Sequence, residues 1–135
     1  MFYNIKDQLD NANMHQIFAA CIYPTTIETA VTTLETYRNN TSRQLFGWVK
    51  DGEILGVCGF QVHDTALEIL HIAVDENCRG HGIGRAIIDS LTEKHKLPIC
   101  AETDDDAIDF YRKCGFEATS FEKHNTRRWK CVLQI

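Results

Sequence analysis

The sequence predicts an α+β domain of mixed α/β character, with a central, mostly antiparallel sheet flanked by about four helices. Three observations carry this. The apolar spacing reads β, α, α, β, β, β, α, β, α, β, β along the chain. Asp51-Gly52 sits between two β-rich runs, which marks a hairpin. Only one strand-helix-strand crossover occurs, so the sheet is not doubly wound.

Residues 2–9 read as a short strand, after which Met14, Ile17, Phe18 and Cys21 recur at the i, i+3, i+4, i+7 spacing of a helix that Pro24 ends. Thr25-Thr26-Ile27-Glu28 fits a capping box, and Ile27, Ala30, Val31 and Leu34 form the apolar stripe of a second helix reaching about Arg38. Strands are expected at 45–50 and 54–62, on either side of Asp51-Gly52, and at 65–74. A glycine-rich loop follows. Ile83, Ile87 and Leu91, with Ala86 beside them, then mark a long helix up to Lys96. Residues 98–103 form the next strand. Residues 104–114 form a helix with Thr103 and Asp106 in capping-box spacing and Gly115 as its stop. The last two strands, 116–121 and 129–133, pair across the polar stretch 122–128.

Composition narrows the functional classes. A length of 135 residues fits one domain, 1–135. An apolar fraction of 44% and a charged fraction of 24% are ordinary for a globular protein. No apolar run reaches membrane-spanning length and residues 1–6 lack a secretory pattern, so a cytoplasmic protein without a membrane partner is expected. A net charge of -5 provides no basic field for nucleic acid, and an acidic surface slightly favours a cationic substrate such as an amine. Cys21, Cys58, Cys78, Cys100, Cys114 and Cys131 contain no CxxC pair and read as free thiols. Asp104-Asp105-Asp106 cannot all point at one ion from a helix start, so no metal is expected.

Arg79-Gly80-His81-Gly82-Ile83-Gly84 lies between a strand and a helix, where unpaired N–H groups and the helix dipole favour an anion. Glycines let the backbone approach a phosphate. Arg85 and Arg79 add positive charge. A phosphate-binding P-loop is excluded because no Lys followed by Ser or Thr comes after these glycines. The dinucleotide fingerprint fails at its third glycine, which falls on Arg85 or Ile87, although Glu102 stands where that fold places its ribose-binding acid.

The pattern that fits is RxxGxG, preceded by Ile72-Ala73-Val74 and followed by Phe110-Tyr111-Arg112-Lys113-Cys114-Gly115-Phe116. Together these resemble the GNAT superfamily of N-acetyltransferases, over the whole chain in element order and over about its second half in motifs. The resemblance implies that strands near 68–74 and 98–103 splay apart to admit the pantetheine arm of acetyl-coenzyme A, the cosubstrate. The arm would run along Ile72, Ala73 and Val74, chiefly on the backbone of Ile72 and Val74. Arg79, Gly80, His81, Gly82, Ile83 and Gly84 would take the pyrophosphate beside Arg85, and Phe110 belongs to the closing motif. Asp104 stands where the family often has an asparagine contacting the arm.

Acetyl transfer needs a neutral amine and a stabilised leaving thiolate. The resemblance assigns the acid to Tyr111, which also lies on an apolar helical stripe. Glu68 matches a glutamate of histone-modifying members and is the candidate base. It shares a strand face with Leu70, Ile72 and Val74 by simple alternation, while His71 falls on the opposite face. Glu68, His71 and a water-mediated route all remain open as the base. The expected activity is direct acetyl transfer to a primary amine in a ternary complex. A non-catalytic acyl-coenzyme A sensor is the alternative, and an NAD-dependent oxidoreductase a third reading. The acceptor, a small-molecule or peptide amine, would enter near residues 23–28 and the last strands. A homodimer through the C-terminal strand is compatible with the pattern.

Overall fold

The computed structural model describes residues 1–135. In chain order the elements are β1 (Phe2–Asn4), α1 (Ala12–Ala19), α2 (Ile27–Arg38), β2 (Arg43–Lys50), β3 (Glu53–Val62), β4 (Leu67–Val74), α3 (Ile83–His95), β5 (Ile99–Thr103), α4 (Ile108–Lys113), β6 (Glu117–Lys123) and β7 (Thr126–Leu133). The seven strands form one sheet in the order β1-β2-β3-β4-β5-β7-β6. Every neighbouring pair is antiparallel except β4 and β5. The α+β expectation and its order of elements are met.

Local differences have local causes. The first strand stops at Asn4, and Lys6–Gln8 coils into a 3-10 turn that drives Ile5 and Leu9 into the core. The cap of α2 is Thr26, whose hydroxyl accepts from the Thr29 amide, while Thr25 donates to Ile22 O instead. The α4 helix begins four residues later than expected. Asp104 Oδ1 accepts from the amides of Asp106 and Ala107 and holds residues 105–107 as a turn. The final hairpin is longer and tighter, because His124 and Asn125 both adopt positive φ, 53° and 62°, and close it in two residues. Asp51 and Gly52, at 52° and 82°, close the predicted hairpin.

Helices cover both faces of the sheet. On one, α3 and α4 bury Ile87, Ile88, Leu91, Ile108 and Tyr111 against Phe60, Leu67, Ile69, Ile99 and Ala101. On the other, α1 and α2 bury Met14, Ile17, Phe18, Leu34 and Tyr37 against Leu45, Ile54, Val57 and Ala73. Gly47 admits the side chain of Ile5, and Gly59 admits the ring of Tyr37. No helix is long and apolar enough to cross a membrane.

Candidate active site

The parallel pair is short. Leu67, Glu68 and Ile69 register with Ile99, Cys100 and Ala101, and there the pairing stops. On its other edge β5 pairs with β7 along its whole length, from Ile99 opposite Leu133 to Thr103 opposite Trp129, so beyond Ala101 only its β4 edge is open. Residues 70–74 of β4 thus keep β3 on one side and an open gap on the other. Asp75 N–H bonds to Leu55 O on β3, so alternation along the ladder turns the backbone groups of Ile72 and Val74 toward the gap. Arg79 Nε donates to Val74 O at 3.2 Å, which places its guanidinium at the gap's mouth. Ala73 is a correction. Its backbone partner is Val57 and its side chain is buried under α1 and α2, so it presents nothing to the gap.

The glycine loop closes that mouth. Gly80 and Gly82 both have φ of +81° with open space where a side chain would be. Gly82 caps α3 in the left-handed region without any side-chain cap, and no amide from 79 to 82 bonds to another backbone group. An unsatisfied row of N–H groups at the start of a thirteen-residue helix is suited to an anion. Arg85 is partly committed, since it donates to Lys113 O at 3.0 Å and ties α3 to the end of α4. His81 is exposed, and its Nδ1 lies 3.1 Å from Cys78 O. Ile83 packs against the core under the loop. Phe110 packs closely against Gly84, where a β-carbon would come within 2.6 Å of its Cε1. Asp104 lies at the end of β5 with one carboxylate oxygen engaged in capping.

Tyr111 is 5% exposed and stacks edge-on with Phe110 and Phe116. Its hydroxyl has no partner within the chain, yet it is not sealed, because the single buried side-chain nitrogen or oxygen left unpartnered is His95 Nε2. Burial pushes the phenol far above its ordinary range, with nearby Cys58 adding to the shift. It therefore stays protonated.

The β4 strand does not alternate as expected. The register with β3 slips between Gly59 and Phe60, so His71 faces Gly59, Ile69 faces Phe60 and Leu70 is the extra residue of a β-bulge. Consequently Ile72 joins the α3–α4 face while Leu70 packs toward α1 and α2. His71 packs there too, against Phe18 and Tyr37, and so faces the same side as Glu68. Single-residue alternation could not reveal this. Glu68 sits where β4 and β5 still pair, opposite Cys100, and its carboxylate lies 3.0 Å from His63 Nε2. His63 is exposed, and its N–H bonds to Ala66 O to close the β3–β4 turn.

An open cavity of about 560 Å³ shares His81, Gly82 and Ile83 with the glycine loop and continues to Met1, Trp48 and Leu55. Its wall is mostly apolar but carries Lys50, and it meets the glycine loop from the β2–β3 side. No cluster of His, Cys, Asp and Glu suited to a metal occurs. All six cysteines are free thiols.

The family model described as the acetyltransferase (GNAT) family matches residues 11–116. The chain belongs to this family. An N-acetyltransferase from the lysA 3′ region of Bacillus methanolicus, itself uncharacterised, is 34% identical over 62 residues. That match covers 45% of the chain and 52% of the relative, so the chain spans about half the length of the curated relative it matches. Among solved GNAT-like structures, an acetyltransferase from Thermus thermophilus superposes with a TM-score of 0.78 at 15% identity, covering 100% of this chain and 96% of the other. An aminoglycoside 6′-N-acetyltransferase complexed with coenzyme A gives 0.76 at 15%, covering 98% and 96%. A GNAT family acetyltransferase from Elizabethkingia anophelis with acetyl-coenzyme A bound gives 0.63 at 20%, covering 77% and 82%. At these identities the likeness is one of fold.

Proposed function

We propose that the chain transfers an acetyl group from acetyl-coenzyme A to a primary amine by direct attack within a ternary complex. The observation that carries this is the split between β4 and β5, which opens after Ile69 and ends at the uncapped glycine loop. The gap is a slot of unpaired backbone with an anion cradle at its mouth. That is what an amide-rich arm ending in a pyrophosphate requires. Relatives of the same fold carry coenzyme A or acetyl-coenzyme A, which supports the same ligand here.

In this reading Ile72 and Val74 pair with the arm, residues 79–84 hold the pyrophosphate, and Arg79 adds charge. The amine lone pair forms the new C–N bond as the thioester π pair moves onto oxygen. Collapse then expels the thiolate. Tyr111 donates a hydrogen bond to that sulfur. A thiol titrates near 8.5, well below this phenol, so hydrogen bonding is favoured over outright proton loss. Glu68, three residues or roughly 10 Å of strand upstream of His71, draws the amine proton away through water, with His63 as its partner.

A sensor that binds acyl-coenzyme A without turnover needs the loop but not Tyr111 or Glu68. Thiol release from acetyl-coenzyme A across a panel of primary amines separates the two. Turnover on at least one amine supports the transferase. Tight coenzyme binding with no turnover on any of them supports the sensor.

A further inference from the structure

The bulge at Leu70 leaves one polar side chain on the α1–α2 face of β4, beside the gap, that the reaction above does not use. His71 is half-buried, its ring centroid 4.9 Å from that of Phe18 and 5.8 Å from that of Tyr37. Tyr37 Oη lies 2.7 Å from His71 Nδ1. Tyr37 is fully buried, and Nδ1 is its only partner. The direction of this bond follows. If the imidazole donated, the phenolic hydrogen would be left without an acceptor in the core, at the cost of a buried unsatisfied donor. So the phenol donates and Nδ1 accepts.

A neutral imidazole that accepts at Nδ1 carries its proton on Nε2. The surroundings keep it neutral. Burial and the Arg43 guanidinium of β2, which lies 5.7 Å from the centre of the Tyr37 ring, lower His71 to about 4. The other titratable groups nearby are neutral too. Burial raises Tyr37 on α2 and Cys58 on β3, and it pushes Cys21 up to about 12. Cys21 donates to Phe18 O and leaves the imidazole alone. His71 Nε2 has no partner in the chain, and it is not sealed, since His95 Nε2 is the one orphan of that kind. The result is a fixed N–H donor open to solvent, one residue before Ile72, where the β4 backbone turns to the gap.

We propose that His71 is a catalytic hydrogen-bond donor to the acetyl carbonyl oxygen, with Tyr37 as the positioning residue that fixes its tautomer. A donor-only nitrogen selects an oxygen that gains negative charge, and in acyl transfer that is the carbonyl oxygen of the tetrahedral intermediate. When the amine attacks, the C–O π pair moves onto oxygen and His71 Nε2–H shares its proton without losing it. When the intermediate collapses, the pair returns and the sulfur leaves with the C–S electrons. His71 is therefore not the general base, which leaves that task to Glu68 or water. Gly59 belongs to the device, because any β-carbon there would overlap the Tyr37 hydroxyl.

The donor role rests on the acetyl-transfer reading, but the tautomer does not. Long-range nitrogen–proton correlation NMR on the whole ¹⁵N-labelled chain at pH 7 reads the tautomer directly. The expected spectrum shows His71 as the neutral Nε2–H form, and Tyr37→Phe converts it to a mixture. An Nδ1–H form in the wild-type chain overturns the proposal. In kinetics, His71→Ala is expected to lower kcat about 10²–10³-fold at unchanged coenzyme affinity, the scale of a lost oxyanion donor. His71→Gln, which keeps an N–H near Nε2, is expected to stay within about tenfold of wild type. Tyr37→Phe is expected to move the acid limb of the kcat profile toward ordinary histidine values. Full kcat in His71→Ala overturns the donor role. No turnover by the wild-type chain on any amine instead sinks the acetyl-transfer reading and removes the donor role with it, while the tautomer still stands or falls on the nitrogen spectrum.

Discussion

Gly84 on α3 and Phe110 on α4 meet so closely that a β-carbon on the glycine would lie 2.6 Å from Phe110 Cε1. This contact sets how near α4 approaches the start of α3, and hence where the loop and Tyr111 stand relative to each other. Alanine is preferred to glycine by up to about 1 kcal/mol in a helix interior, and by less in the first turn, where Gly84 sits. Here overpacking outweighs that preference. Gly84→Ala is expected to destabilise by about 1–3 kcal/mol in urea unfolding, and Gly84→Ala combined with Phe110→Leu to recover most of it. An unchanged midpoint for the single variant would show that the helices part freely.

Gly82 and Gly52 make a controlled pair. Their φ values are +81° and +82°, and neither has an atom within 4 Å of a would-be side chain. Alanine at either should cost a similar 1–2 kcal/mol of backbone strain. Only Gly82 belongs to the anion cradle. Isothermal titration with coenzyme A is expected to show about tenfold weaker binding for Gly82→Ala and wild-type binding for Gly52→Ala. Equal losses in both would mean the effect is general stability.

Tyr111→Phe removes a hydroxyl that has no partner within the chain. Thermal stability is therefore expected to hold. The kcat should fall about 10–100-fold, with coenzyme affinity unchanged, if the hydroxyl serves the leaving sulfur. A variant that keeps full kcat across pH would remove Tyr111 from the chemistry.

The buried imidazole also predicts how stability varies with pH. His71 has its pKa lowered from 6.5 to about 4 in the folded chain. Between those values the unfolded chain binds more protons, so stability rises with pH there. It is full above about 6.5 and is lost as pH falls toward 4, by at most about 3 kcal/mol. His95 on α3, lowered by burial and by Lys94, acts in the same direction. His71→Gln is expected to flatten the urea midpoint's pH dependence between 4 and 6.5, leaving the smaller slope from His95. An unaltered slope would place the acid sensitivity elsewhere.

Much of this was legible in sequence because the signals were local. Asp51-Gly52 declared its hairpin through positive φ, and Ile87 and Leu91 declared the buried face of α3 through their spacing. Gly80 and Gly82 declared a loop with positive φ ahead of α3. The bulge at Leu70 was invisible because it depends on β3 as a partner, through Gly59 and the bulk of Tyr37. Period-two reading therefore put Ile72 beside Glu68 and His71 across from it, the reverse of the fold. Tyr37 carries no local signal, since its hydroxyl meets its partner His71 thirty-four positions away. The start of α4 moved for a similar reason, as Asp104 rather than Thr103 caps the turn.

In the proposed complex, coenzyme A lies along the open edge of β4 with its pyrophosphate on the glycine loop. Backbone amide NMR during a coenzyme A titration tests it most directly. The largest shifts are expected at Ile72, Val74 and residues 79–85, with Leu55 and Trp48 little changed. Shifts centred instead on Met1, Trp48 and Leu55 would place the coenzyme in the cavity on the β2–β3 side of the loop and contradict it.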